Sequence, residues 1–198
     1  MGFIFQSLGR TIIAGLLLLV LIILAVSTRY SIAVSFEHYW FALLFRWLHV
    51  LCGVMWIGLL WYFNFVQIPS MPKIPDEQKP AVGKVIAPTA LFWFRHAALW
   101  TVITGLLLAS MNGYLVNALT LREGWHSIGI GMWLALVMAF NVWFIIWPNQ
   151  QKALGLVEVG STDIKAKAAR LAMLTSRFNT MFSIPMLYCM VAQQNGGL

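Results

Sequence analysis

The sequence predicts an all-α integral membrane protein: a single membrane domain over residues 1–198, built as a bundle of about five transmembrane helices, with the N-terminus in the cytoplasm and the C-terminus outside. Three observations carry that expectation. Hydrophobic residues make up 61% of the chain and charged residues only 10%, a balance that suits a surface solvated by lipid. Five stretches approach the roughly 20 apolar residues that a helix needs to cross a hydrocarbon core. The basic residues fall between those stretches with a strong bias to one side.

The first span, about 11–28, is apolar apart from Thr11, Ser27 and Thr28 at its ends. Arg10 before it and the small residues of "ILAVS" at its end also fit a signal peptide; we read it as a retained anchor. The second, about 39–63, carries Arg46 and His49 inside it. The segment that follows, "QIPSMPKIPDEQKPAVGKVIAP", has five prolines in 22 residues and predicts a stiff, extended crossing. The third span, about 88–111, contains "FWFRHAALWTVITG", which puts His96 near its cytoplasmic end between Trp93 and Trp100. After the short loop "LREGWHS" comes the fourth, about 128–147. The stretch "STDIKAKAARLAMLTSR" then predicts a surface helix capped by Ser161, Thr162 or Asp163. It leads into the fifth span, about 178–193, which Pro185 is expected to kink.

With five spans, ten basic residues share one side: Arg10, Lys73, Lys79, Lys84, Arg95, Lys152, Lys165, Lys167, Arg170 and Arg177. Only Arg29 and Arg122 fall on the other. Positive charge is retained on the cytoplasmic side, which sets the orientation. The same scatter argues against nucleic acid as a partner despite a net charge of +7, because no single face gathers the cations. Cys52 and Cys189 both lie in spans, and neither a CxxC pair nor a CxxCH haem-attachment motif is present.

Polar residues in a span are costly and face the protein interior. Helical spacing aligns Arg46, His49, Gly53, Trp56, Leu60 and Phe63 on one stripe of the second span, and Gly53 and Gly58 leave room for a neighbouring helix or a flat ligand. His49 and His96, on adjacent antiparallel helices, are candidate axial ligands of a haem b iron, with Arg46, Gly53 and Trp56 completing the cofactor site. The two histidines sit roughly one to two turns apart in depth, so either a tilted helix brings them to one iron or each serves a different purpose. A histidine in a span can also simply hydrogen-bond a backbone carbonyl. Arg46 either meets a carboxylate or snorkels to the outer headgroups. His38 and His126 lie at the outer surface.

A second set gathers at the cytoplasmic ends of the spans: Asn64, Gln67, Arg95, Asn149, Gln150, Arg177 and Asn179. Amides and guanidinium groups without a carboxylate suit a small, polar, planar substrate. The plainer alternative is ordinary interfacial polarity.

The segments "RWLHVLCGVMWIGLLWYFNFVQ", "NVWFIIWPNQQK" and "SRFNTMFSIPMLYCMVA" resemble the membrane domain of the bacterial membrane-bound urate oxidase (urate hydroxylase) family, from about residue 44 to the C-terminus. More distantly, the His-to-WxG pattern of the second span is similar to b-type haem membrane proteins, including the protoporphyrinogen oxidase and copper-resistance membrane families. The resemblance implies a multi-span domain that oxidises urate and passes electrons to a cytochrome c fused behind its last span. This chain departs from that pattern. It ends at "VAQQNGGL" without CxxCH, so a cytochrome c is expected as a separate polypeptide, and it has fewer spans than the family's domain.

The expectation is a multi-pass haem b oxidoreductase component of the bacterial inner membrane. It would carry electrons from a small cytoplasmic or membrane reductant to an external cytochrome or oxidase. The alternative is a non-catalytic accessory subunit of a larger respiratory or other membrane complex, its aromatic spans packing partners and lipid.

Overall fold

Proline shapes this fold by widening helices where the sequence suggested it would end them. Lacking an N–H, proline leaves the carbonyl four residues back without a donor, and its ring crowds that carbonyl. A single π turn relieves both problems by carrying the hydrogen bond five residues back. In the computed structural model, which describes residues 2–32, 34–158 and 160–196, this happens three times. Ile68 N–H reaches the Phe63 carbonyl before Pro69, Ala87 reaches Val82 before Pro88, and Trp147 reaches Val142 before Pro148. The π turns span Tyr62–Gln67, Val82–Ile86 and Asn141–Ile146.

The helices therefore run longer than hydropathy alone marks them. Two compact units make up the chain, residues 1–41 and 42–198. Helix α1, Leu8–Tyr30, belongs to the first; it has no buried residue and ends on Ser31 in the left-handed conformation, whose successor Ile32 donates back to the Ser27 carbonyl. The later helices are α2, His38–Lys73; α3, Lys79–Met111; α4, His126–Ala153; and α5, Thr162–Asn195, with a short helix Leu115–Leu119 between α3 and α4. Four of them, α1 to α4, are long and apolar enough to cross a membrane. No strand occurs among the described residues.

Two expectations are corrected here. The proline-rich crossing is mostly helical: α2 continues to Lys73 and α3 begins at Lys79, because Pro69, Pro72, Pro80 and Pro88 each fall in a first turn or behind a π turn, where a missing N–H is tolerated. The surface helix and the fifth predicted span are one unbroken helix, α5, with Pro185 inside it. Its start is as expected, since the Ser161 hydroxyl accepts from the Ile164 N–H. Residues 197–198, at the predicted external C-terminus, lie outside the described residues.

Small residues bring the helices of the second unit together. A Cβ on Gly129 of α4 would fall 2.2 Å from the Ala118 carbonyl oxygen, so α4 lies directly on the backbone of the short helix. Gly131 meets Cys189 of α5 in the same way, at 3.0 Å. Gln193 near the end of α5 accepts from Ile128 N–H and donates to the Gly124 carbonyl, tying α5 to the start of α4. The core is built on Trp56, Leu60 and Phe63 of α2, Phe94 of α3, and Met138, Val142 and Ile146 of α4.

Candidate functional site

A cavity of about 650 Å³ opens between α2, α3, α4 and α5, within the range of about 300–1,000 Å³ usual for small-molecule sites. Arg46, His49, Gly53 and Trp56, four of the five residues expected to hold a cofactor, line it together with Gly58. Their shared stripe on α2 is what places them there.

His49 is held by α3. Its Nδ1 lies 2.8 Å from the Thr101 carbonyl oxygen; a carbonyl only accepts, so Nδ1 carries the proton and donates. The lone pair of the neutral ring is then on Nε2. Nε2 has no hydrogen-bond partner among the described residues and is not among the shut-in unpartnered atoms, so it reaches the open space that His49 lines. Gly105 makes the approach possible: a Cβ there would stand 2.7 Å from His49 Cε1. An imidazole fixed through one nitrogen by a backbone carbonyl, with the other nitrogen free, is the arrangement metal-binding histidines use.

His96 is not brought to this cavity. Its Nδ1 lies 2.7 Å from the Phe92 carbonyl one turn back on α3, and its ring packs against Phe92 and Trp143 at centroid distances of 4.3 and 5.7 Å. His49 meets α3 at Thr101 to Gly105, five to nine residues further along, or about 8–14 Å at the helical rise. The two imidazoles do not face one iron in this structure. Three methionines, Met132, Met186 and Met190, are the sulfur donors in the cavity wall.

The seven cytoplasmic residues do not form one ring. Asn64 is buried and donates to the Leu60 carbonyl and the Ser176 hydroxyl, both at 2.8 Å. Gln67 and Gln150 share a separate cavity of about 110 Å³, too small for a purine-sized ligand by the usual scale of about 300 Å³ or more. Arg95 stacks its guanidinium 3.9 Å above Trp147. Asn149 donates to Ile145 of its own helix, and Arg177 is exposed. Asn179 is fully buried and lies deeper: its amide oxygen accepts from Asn141 at 2.8 Å and its nitrogen donates to the Met138 carbonyl at 2.9 Å. These contacts join α2, α4 and α5 through a buried polar layer, to which Trp61 donating to Ser183 also belongs.

Sequence reasoning missed Asn141, Thr101, Gly105 and Tyr114. For Asn141 there was a signal: like Asn64, it is an asparagine inside an apolar helix, five to seven residues before a proline and within a π turn.

A family model described as urate oxidase N-terminal matches residues 125–196, roughly a third of the chain. The matched stretch contains all of α4 and α5, with Asn141, Asn149, Gln150, Arg177 and Asn179; α2 with His49 and α3 lie outside it. No curated protein and no solved structure matches the chain.

Proposed function

We propose that the chain is a membrane-bound haem b oxidoreductase component, similar to the membrane domain of urate oxidases. It transfers electrons from a small cytoplasmic or membrane reductant to an external cytochrome or oxidase. The observation that carries the reading is His49: a neutral imidazole with Nδ1 committed to Thr101 and Nε2 free on the wall of a largely apolar cavity. Bound haem supplies one-electron redox chemistry at the iron. The protein's part is to hold the ligand ring at Gly105, to admit a flat group beside Gly53 and Gly58, and to keep water from the site with the walls of α3, α4 and α5.

The test is the absorbance spectrum of the purified protein. A haem band that survives purification and follows redox titration supports the reading, and its absence under haem-replete expression leaves the accessory-subunit alternative standing.

The reading also places the chain in a bacterial inner membrane with five spans, the outward half of α5 being the fifth. Ten basic residues against two set its orientation. A reporter fused after Leu198 is expected to be active outside the cytoplasm. A cytoplasmic signal would mean an even number of crossings and would put Arg46 and His49 at the wrong depth for electron exit outward.

A further inference from the structure

We propose that the cavity binds its occupant head-outward, as an apolar plate whose carboxylates lie at the end formed by Arg46, Tyr114, Gln194 and Asn195, with its apolar edge toward Trp56. This rests on the haem reading and specifies which way the group lies. Apart from His49, Thr101 and the indole N–H groups of Trp56 and Trp61, the hydrogen-bonding and charged side chains lining the cavity converge on that end. Arg46 precedes His49 by three residues on the same face of α2, about 4.5 Å outward along the axis. Tyr114 lies three residues beyond the end of α3 and is fixed by stacking on Trp125 at 4.9 Å. Gln194 and Asn195 close the last turn of α5, whose end is pinned to α4 by the adjacent Gln193. The opposite end, around Trp56, Ile57, Met132 and Ala135, carries no charge, and its one polar side-chain group among these four is the buried, unpartnered indole N–H of Trp56.

Charge gives this end its preference. Arg46 forms no ion pair among the described residues, and no Asp or Glu lines the cavity. A cation at the mouth of an apolar slot without a counter-ion favours an anion there, and a guanidinium pairs with a carboxylate through two parallel hydrogen bonds. Burial pushes the Tyr114 phenol up, partly offset by the charge of Arg46, so its hydroxyl remains a donor. An acidic lipid headgroup could meet the same arginine, and the experiment separates the two.

Detergent-solubilised protein prepared without haem is titrated with haem b and with its dimethyl ester, in the wild type and in Arg46→Gln, following absorbance. Wild type is expected to bind the diacid at least about tenfold more tightly than the diester, the scale of one charge-assisted contact. Arg46→Gln should bring that ratio close to one. The ratio cancels any general loosening of the fold in the variant. A ratio unchanged by Arg46→Gln overturns the proposal and leaves Arg46 to headgroups, as does a wild type indifferent to esterification. If neither form gives a spectrum that depends on His49, the haem reading itself fails.

Discussion

Replacing His49 with alanine is expected to abolish haem binding, with the Soret band lost from purified protein that still folds. His49 is the one imidazole lining the cavity, and the methionine sulfurs opposite it are weaker donors to a ferric iron. Altering residues that merely orient a metal ligand costs about 10–100-fold in affinity, so loss of the ligand itself should exceed that range. His96→Ala should leave the band in place, because His96 is hydrogen-bonded to the Phe92 carbonyl and set edge-on against Trp143, away from the cavity. Loss of the band in the His96 variant, with His49→Ala unaffected, would reverse the assignment. Gly105→Ala tests the same geometry from the other helix. Its Cβ would overlap the imidazole, so the ring must swing off the Thr101 carbonyl, and haem affinity should fall by about 10–100-fold.

The cofactor wall of α2 was legible because helical periodicity fixes which side chains share a face, and a polar stripe in an apolar helix has only one inexpensive direction to point. What meets that stripe was not legible. The partner of His49 is the main-chain carbonyl of Thr101, which any residue could have supplied, and the glycine that lets it close lies on another helix. Depth could be read for His96 too, but azimuth and level relative to a second helix could not.

The cytoplasmic ring failed for a related reason. Position near a helix end says that a side chain is close to one membrane face, and nothing about the direction in which it projects. Each π turn adds a residue to its turn and so shifts the face of everything beyond it by roughly one residue's rotation. Gln67 lies within such a turn and Asn149 and Gln150 lie beyond one. Extrapolating the stripe of α2 or α4 through Pro69 or Pro148 as a regular helix therefore misplaces them. Prolines read as helix breakers also ended α2 early, before Pro69, and started α3 late, at Pro88.

Asn179→Ala is expected to destabilise the protein more than any other change among the cytoplasmic residues, with little effect on cofactor affinity. The amide is fully buried and spends both ends on α4, taking a proton from Asn141 and giving one to the carbonyl of Met138. That carbonyl sits just before the π turn Asn141–Ile146, where it also accepts from the Asn141 N–H, so the Asn179 amide is its second donor. Alanine leaves the Asn141 amide unpartnered in an environment that supplies no water, and takes from the Met138 carbonyl one of its two donors, the Asn141 N–H being the other. Each such loss costs about 1–3 kcal/mol in folded proteins, with hydrogen bonds between membrane helices toward the lower end because the unfolded chain also finds partners there. The expected loss is about 1–3 kcal/mol, readable as a lowered midpoint of thermal or denaturant unfolding in detergent. Arg177→Ala, two residues away in sequence but exposed, should change that midpoint little. If Asn179→Ala unfolds like the wild type yet impairs reduction by a substrate, Asn179 belongs to a binding site after all and its pairing with Asn141 is incidental. If it lowers the midpoint and leaves reduction alone, the asparagine is the clasp between α4 and α5 that its two hydrogen bonds describe.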